Sequence, residues 1–421
     1  MNIWIFNHYA RTPKQSGGTR HFELASYLVK KGCSVTIFAS SFSHNKKEEM
    51  ITYNSQRYQV EYIDGVKFVW LKTIPYKNSL KRIMNFISYS VNAYKVAMKD
   101  FKDEKVDLII GSTVHPLAAL AAYFVSKKLN AKFYFEERDL WPQTFIDFGK
   151  LKEKSLLSRV LFKVENFLYQ KADKIIVLFN KATDYVVSKG VERDKVIYLP
   201  NGVNTGNHLD IKPSPEVDKI FREINNRFIV IYTGSHGIAN HLKPILDLAK
   251  TTSKLDPSGK IHFLLVGNGP VKKDLIKGAS DLNLKNISFA DPVKKSDIPY
   301  LLSKADASYI SIMDSPLYKW GFSMNKLYDY MAAGLPIFMY SNPAIVGEYS
   351  NLKGAIVSND NVELAEQIVR LSNDSQMIEQ MNRSLKVHVE ENYSWNKLGQ
   401  RFYNEFQLDK WGKYDSNKKT V

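Results

Sequence analysis

Short, nearly unbroken apolar runs alternate with helical patterns along this chain, stop, and then start again. That rhythm restricts it to two layered α/β domains. In the first half Asn2–Phe6, Ser34–Ala39, Asp107–Gly111, Lys132–Glu136, Lys174–Leu178 and Val196–Leu199 read as strands. Runs this uniformly apolar suit parallel strands covered on both faces, and the segments between them suit crossover helices. Pro200-Asn201-Gly202-Val203-Asn204 breaks the pattern with turn residues, and the polar stretch to Arg227 holds Pro213 and Pro215. The pattern resumes at Phe228–Thr233, with further strands expected at His262–Val266, Ile287–Ala290, Ala307–Ile310 and Pro336–Met339. The expected division is a first domain over 1–205, a linker over 206–226 and a second domain over 227–392. A last helix opens at Tyr393-Ser394-Trp395 and runs to about Trp411.

At 421 residues, each half can bury a core of its own. The lone Cys33 excludes an intramolecular disulfide and any multi-cysteine zinc site. The start, Met1 to His8, turns polar too soon for a signal peptide. The apolar stretch from Leu117 to Val125 is far too short to span a bilayer. A cytoplasmic protein is expected, with membrane contact only from the inner surface. The net charge of +16 is uneven: residues 1–200 carry +13 and the remainder +3. Such a balance suits an anionic partner for the first half, an anionic membrane surface among them. Nucleic acid is a poor fit, because no recognition helix or aromatic RNA-binding motif is visible. The segment Lys77–Lys102 is amphipathic. Leu80, Ile83, Met84, Ile87, Val91, Tyr94, Met98 and Phe101 recur at helical spacing, and Lys81, Arg82, Lys95 and Lys99 mark another side. It reads equally as a membrane-surface helix and as an ordinary helix packed on the sheet. Leu151–Lys171 carries the same ambiguity.

Two loop-to-helix motifs stand about three hundred residues apart. Gly17-Gly18-Thr19-Arg20-His21-Phe22-Glu23-Leu24-Ala25 follows the first strand, and Ser323-Met324-Asn325-Lys326-Leu327-Tyr328-Asp329-Tyr330-Met331-Ala332-Ala333-Gly334 lies near the end of the second domain. Helix starts of this kind present unpaired N–H groups to an anion. Ser112-Thr113-Val114-His115-Pro116 and Glu136-Glu137-Arg138-Asp139-Leu140-Trp141-Pro142 each follow a strand, where open α/β sheets bind ligands. Thr233-Gly234-Ser235-His236 and Leu265-Val266-Gly267-Asn268-Gly269-Pro270 do the same in the second half.

Taken together these motifs resemble the GT-B glycosyltransferases, in particular the retaining family 4, over nearly the whole chain. The resemblance implies two Rossmann-like domains facing a central cleft, with the final helix returning to the first domain. It implies a nucleotide-sugar donor, a UDP-sugar first, held by Gly17, Gly18, Gly234, Ser235, Asn268, Lys326 and Asp329, with backbone of the Ala290–Val293 turn against the base. Lys326 would neutralise the leaving diphosphate and Asp329 would grip the ribose hydroxyls. His115 would lie beside the donor sugar. Asp-Leu-Trp-Pro resembles transferases of bacterial surface polysaccharides, including those for N-acetyl-fucosamine and related amino sugars. Glu137, Asp139 and Trp141 would then face a saccharide acceptor, lipid-linked, with Asp139 orienting its hydroxyl. An Arg138–Asp139 ion pair is the alternative reading of that loop. Lys326, His115 and Asp139 are thus the candidate catalytic residues. No cofactor or metal is expected, since no Asp-x-Asp or His-Glu-x-x-His motif is present.

Two departures from the family pattern stand out. Gly321 occupies the place of the first Glu of its Glu-x7-Glu pattern, and Ser235 and His236 stand where basic residues are expected. With Asp329 in place of the second Glu as well, a degenerate, non-catalytic partner subunit is an alternative, and a GT-B nucleotide-sugar epimerase is the competing enzyme.

Overall fold

The computed structural model describes residues 1–15, 17–44, 47–54, 56–208, 211–224 and 226–416. The chain divides into two units. The first holds Met1–Pro200 and the chain from Leu398 onward, and the second holds Asn201–Lys397.

The first unit is built on an eight-stranded sheet. From one edge to the other its strands are Val196–Tyr198, Lys174–Val177, Lys132–Glu137, Leu108–Ser112, Asn2–Phe6, Ser34–Ser40, Val66–Leu71 and Tyr58–Ile63. All neighbours are parallel except the last pair, an antiparallel hairpin. The six expected strands form, and the hairpin extends the sheet beyond them. Asn2–Phe6 lies between Leu108–Ser112 and Ser34–Ser40, so the connections leave it in opposite directions. The carboxyl ends of the first and Leu108 strands therefore frame a crevice, the usual ligand position in such sheets.

The strand cores are dry: Ile3, Trp4, Ile5, Phe6, Ile37, Phe38, Phe68 and Val69 are fully buried. The chain from Leu398 onward closes this unit. Phe402 and Phe406 set their ring edges against Tyr134, each with centroids 6.2 Å away. The Tyr134 hydroxyl donates to Asp409 Oδ2 at 2.9 Å, and that of Tyr27 to Gln400 Oε1 at 2.6 Å.

The helix Ser79–Asp100 buries Asn85, Tyr89, Ala93, Val96 and Ala97. Of its apolar stripe, Phe101 just past its end packs on Trp4 and Phe38 of the sheet, while the first part is exposed. Leu80 is 78% exposed and Ile83 53%, and Met84, Ile87 and Val91 are exposed as well. Leu156, Leu157 and Val160, on the helix Leu156–Lys171, are exposed too.

The second unit has a six-stranded, wholly parallel sheet in the order Ile287–Ala290, Ile261–Val266, Phe228–Thr233, Ala307–Ser311, Ile337–Tyr340, Ala355–Ser358. The last of these was not expected. Here the reversal falls between Phe228–Thr233 and Ala307–Ser311. Residues 209, 210 and 225 of the expected linker lie outside the described residues. Within the rest of it, Pro215–Phe221 is a helix that buries Val217 and Phe221 in the second unit's core.

Candidate active site

In the second unit, the strand Phe228–Thr233 ends at Gly234, whose N–H donates to Val266 O at 3.0 Å. The neighbouring strand ends in the Gly267 turn. A Cβ on Gly267 would fall 1.8 Å from the Gly234 carbonyl oxygen, so only glycine lets the two turns touch. His236 N–H donates to Asn268 O at 2.9 Å, which ties the turns again. Asn268 itself is exposed, and its Oδ1 accepts from Gly269 N–H at 2.8 Å.

The helix Asn325–Ala333 begins beside this pair of turns. Lys326 Nζ donates to the Tyr232 hydroxyl at 2.9 Å and to Asn240 Oδ1 at 2.7 Å, and lies 4.3 Å from the Tyr232 ring centroid. Its Cε would be 3.4 Å from a Cβ on Gly234. Both of its hydrogen-bond partners are neutral. Burial pulls the ammonium down to about 7. A cation held this way gains most from an anion placed beside it. Asp329, one turn on, shares its helix face. Burial lifts its carboxyl to about 6, with Lys295 opposing the shift. Ser235 offers its carbonyl to the Tyr232 hydroxyl at 2.7 Å and to Asn240 Nδ2 at 2.9 Å. Gly234 and Ser235 thus end the strand Phe228–Thr233, Asn268 follows the neighbouring strand, and Lys326 reaches Gly234 from the helix that also carries Asp329.

Gly321 has φ +94°, a conformation that a glutamate would adopt only with strain. Sequence reasoning passed over His236 as a degraded basic residue. It is fully buried, and neither ring nitrogen has a hydrogen-bond partner. Burial, followed by Lys272 and Lys326, pulls it down to about 4, so it is a neutral imidazole. Lys272 was also missed. Its ammonium donates to Gly267 O and Ala290 O, each at 2.9 Å, and pairs with Asp291 at 2.8 Å. It thereby fastens the expected base-contacting turn to the Gly267 turn.

In the first unit the crevice holds a histidine pair. His115 caps the helix Pro116–Leu129, its Nδ1 accepting from Ala118 N–H at 3.3 Å. That bond places the proton on Nε2, which lies 2.7 Å from His8 Nδ1. His8 must then carry its own proton on Nε2, a buried nitrogen with no hydrogen-bond partner among the described residues. Burial holds both rings neutral, His115 down to about 3. Phe86 stacks on His115 at 4.1 Å, and Tyr89 on His8 at 4.3 Å. Both nitrogens of His115 are therefore engaged, and the expected helix-start role is present beside any other.

Glu136, at the end of the strand Lys132–Glu137, is the hub of this unit. It takes Arg20 Nε at 2.8 Å, His21 Nε2 at 2.6 Å and the Ser112 hydroxyl at 2.5 Å. Burial alone would raise its pKa, but Arg20, His21 and Arg138 hold it well below the usual carboxylate range. Arg20 also donates to Pro200 O at 2.5 Å and Leu199 O at 2.8 Å. The glycine-rich motif therefore delivers its Arg-His pair to a carboxylate of its own chain. Gly17 and Gly18 before it are exposed, Gly17 with φ +111°.

Glu137 is buried and accepts from the Tyr169 hydroxyl, and burial followed by Glu165 raises its pKa well above the usual range. Asp139 is exposed, and no Arg138–Asp139 ion pair forms within 4.0 Å among the described residues. Trp141 is half-buried against Phe145, with ring centroids 4.4 Å apart. Among the described residues no group of three His, Cys, Asp or Glu could hold a metal ion, and no helix is long and apolar enough to cross a membrane.

Two family models match the chain. Glycosyltransferase Family 4 matches residues 16–207, and Glycosyl transferases group 1 matches residues 227–374. The colanic acid biosynthesis glycosyl transferase WcaI of Escherichia coli K12 is 22% identical over 296 residues, 68% of this chain and 71% of its own. WbjE, a glycosyltransferase of Pseudomonas aeruginosa, is 20% identical over 55% of this chain and 56% of its own. Among solved structures, Anabaena HepE in complex with UDP superposes with a TM-score of 0.65 at 14% identity, covering 97% of this chain and 100% of that one. Sucrose-phosphate synthase from Thermosynechococcus elongatus gives 0.68 at 14% identity, over 97% and 98%. The fold is GT-B, and with both family models matched the class is a glycosyltransferase.

Proposed function

We propose that this glycosyltransferase moves a sugar from a UDP-sugar to a lipid-linked saccharide during assembly of a bacterial surface polysaccharide, with retention at the anomeric carbon and without a metal ion. The observation that carries the donor half is Lys326, a partly buried cation whose hydrogen-bond partners among the described residues are both neutral, beside the Gly234 turn. Solved neighbours that carry UDP support the nucleotide, and the colanic acid relative supports the pathway class.

In the proposed step the acceptor hydroxyl oxygen bonds to the anomeric carbon on the face that the diphosphate leaves. The carbon–oxygen bond to the diphosphate breaks, and its electron pair stays on the phosphate. That phosphate takes the acceptor proton, while Lys326 stabilises the growing charge. Asp329 would accept the two ribose hydroxyls and Glu137, Asp139 and Trp141 would border the acceptor. The buried, engaged position of Glu137 makes the exposed Asp139 the stronger of its two carboxylates for that part.

The test is calorimetry with UDP against other nucleoside diphosphates in the presence of a chelator, followed by a donor screen with membrane extracts as acceptor. Tight UDP binding and chelator-insensitive transfer with net retention are expected. An epimerised sugar from donor alone would establish the epimerase, and strict dependence on added manganese or magnesium would overturn the metal-free step.

A further inference from the structure

Three neighbouring parallel strands of the first unit, Asn2–Phe6, Ser34–Ser40 and Val66–Leu71, end on one edge of the sheet. The chain beyond them brings three cations together. Arg11 follows the first strand, Lys47 the second, and Arg82 stands in the first turn of the helix after the third. Tyrosine and histidine side chains connect them. The Tyr9 hydroxyl lies 2.9 Å from that of Tyr76, and Tyr76 also bonds His44. Lys47 Nζ lies 3.2 Å from His44 Nδ1 and 4.5 Å from the Tyr76 ring centroid. Arg82 lies over Phe86 at 5.3 Å, its Nε buried with no hydrogen-bond partner, and it faces the Tyr9 hydroxyl. Arg11 runs alongside Gly17, its guanidinium 3.4 Å from where a Cβ there would be.

Among the described residues neither Lys47 nor Arg82 pairs with a carboxylate. The mutual repulsion is felt by the group between them: His44 is pulled down to about 4 by burial, then by Lys47, Arg82 and Arg11. Lys47 and Arg82, gathered among hydroxyls and paired with no carboxylate among the described residues, are a site for a multiply charged oxyanion. Phe86 carries Arg82 on one side and stacks on His115 on the other, so the cluster adjoins the crevice. The helix that supplies Arg82 also exposes Leu80, Ile83, Met84 and Ile87.

We infer that Arg11, Lys47 and Arg82, with Tyr9 and Tyr76, hold the phosphate of the acceptor, and that the acceptor is a saccharide carried on a lipid diphosphate whose chain lies along the Leu80–Ile87 stripe. This deepens the acceptor half of the proposed function and rests on it.

The test titrates full-length protein already saturated with UDP, so that failure of the donor reading shows first, as absent UDP binding. Farnesyl diphosphate and inorganic diphosphate are then the probes, against wild type and against an Arg82→Gln, Lys47→Gln variant. Farnesyl diphosphate is expected to bind wild type and to lose about tenfold or more in the variant, since two charge-assisted contacts are removed. UDP affinity should stay unchanged, and Arg82→Lys, Lys47→Arg should recover most of the loss. Equal farnesyl diphosphate affinity in wild type and variant, or no binding to either, overturns the subsite. If inorganic diphosphate binds as tightly and loses as much, the phosphate site stands and the lipid carrier is overturned. A variant with a lowered melting temperature is replaced by Arg82→Gln alone, for which a loss of farnesyl diphosphate affinity is still required.

Discussion

The two sheet reversals share a topology and use charge in opposite ways. In the first unit, Glu136 is surrounded by Arg20, His21 and Ser112, and the histidine pair beside it is neutral with its inner nitrogens mutually bonded. That charge is neutralised within the protein and fixes the architecture. In the second unit, Lys326 hydrogen-bonds, among the described residues, only Tyr232 and Asn240. Its charge remains available to a ligand. Strand topology decides where groups converge, and the local partners decide whether a converged charge supports the fold or the chemistry.

The sharpest way to break this comparison is to remove each centre and ask what fails. Glu136→Ala takes from the buried Arg20 its carboxylate partner, which should cost about 3–5 kcal/mol of stability. Calorimetric unfolding would show a markedly lower first transition, and an unchanged one would mean that the hub is not structural. Lys326→Ala should instead keep its unfolding profile and lose turnover by about a hundredfold or more, the scale for one preorganised charge in a dry site. Wild-type kinetics there would remove Lys326 from the mechanism.

Asp329→Asn should weaken UDP binding by about tenfold, since hydrogen bonds to a charged group contribute roughly 1.5–3 kcal/mol, with the melting temperature nearly constant. A large stability loss at normal UDP affinity would move Asp329 to the structural side. The pH dependence sharpens the point. Lys326, lowered to about 7 in the free protein, is already charged below that pH and must take up a proton to meet a diphosphate above it. UDP affinity should therefore fall as pH rises from 7 to 9, and this slope should vanish in Lys326→Ala. Asp329, raised to about 6, loses its charge below that pH, so affinity should also fall toward pH 5. Calorimetry across the range reads both limbs.

The smallest effect belongs to the surface. Wild-type protein should float with anionic vesicles and be released by salt. Changing Lys81, Lys95 and Lys99 together to Gln should weaken this by about 1 kcal/mol per basic residue that lies against the surface. Flotation indifferent to all three would leave the exposed stripe without a charged partner.

Much of this was legible in the residues. Parallel strands such as Ile337–Tyr340 are apolar throughout because both faces are covered, and short uniform runs announce that directly. The segment that carries Lys326 and Asp329 was readable as a loop entering a helix, which forms over Asn325–Ala333, while the roles given to the two residues came from the family pattern. The hairpin was missed although Asp64-Gly65, with φ of 48° and 81°, is a strong turn signal, because the exposed edge strand Tyr58–Ile63 has no buried face to give it a pattern. The amphipathic stripe of Ser79–Asp100 was legible as periodicity, but the helix buries Asn85 and Tyr89 instead. Periodicity shows that a face exists and says nothing of what covers it. The His8–His115 pair and the Arg20–Glu136 bond join residues more than a hundred positions apart, and no local pattern carries such a contact.

The return of Leu398 onward to the first unit has a consequence for synthesis. On the ribosome the middle of the chain can complete its unit before the beginning can cover its own sheet. Until residues past 398 emerge, Tyr134 and Tyr27 lack Phe402, Phe406, Gln400 and Asp409. The part made first is thus the part finished last, and a nascent chain halted just short of that helix would leave those aromatic faces bare to chaperones.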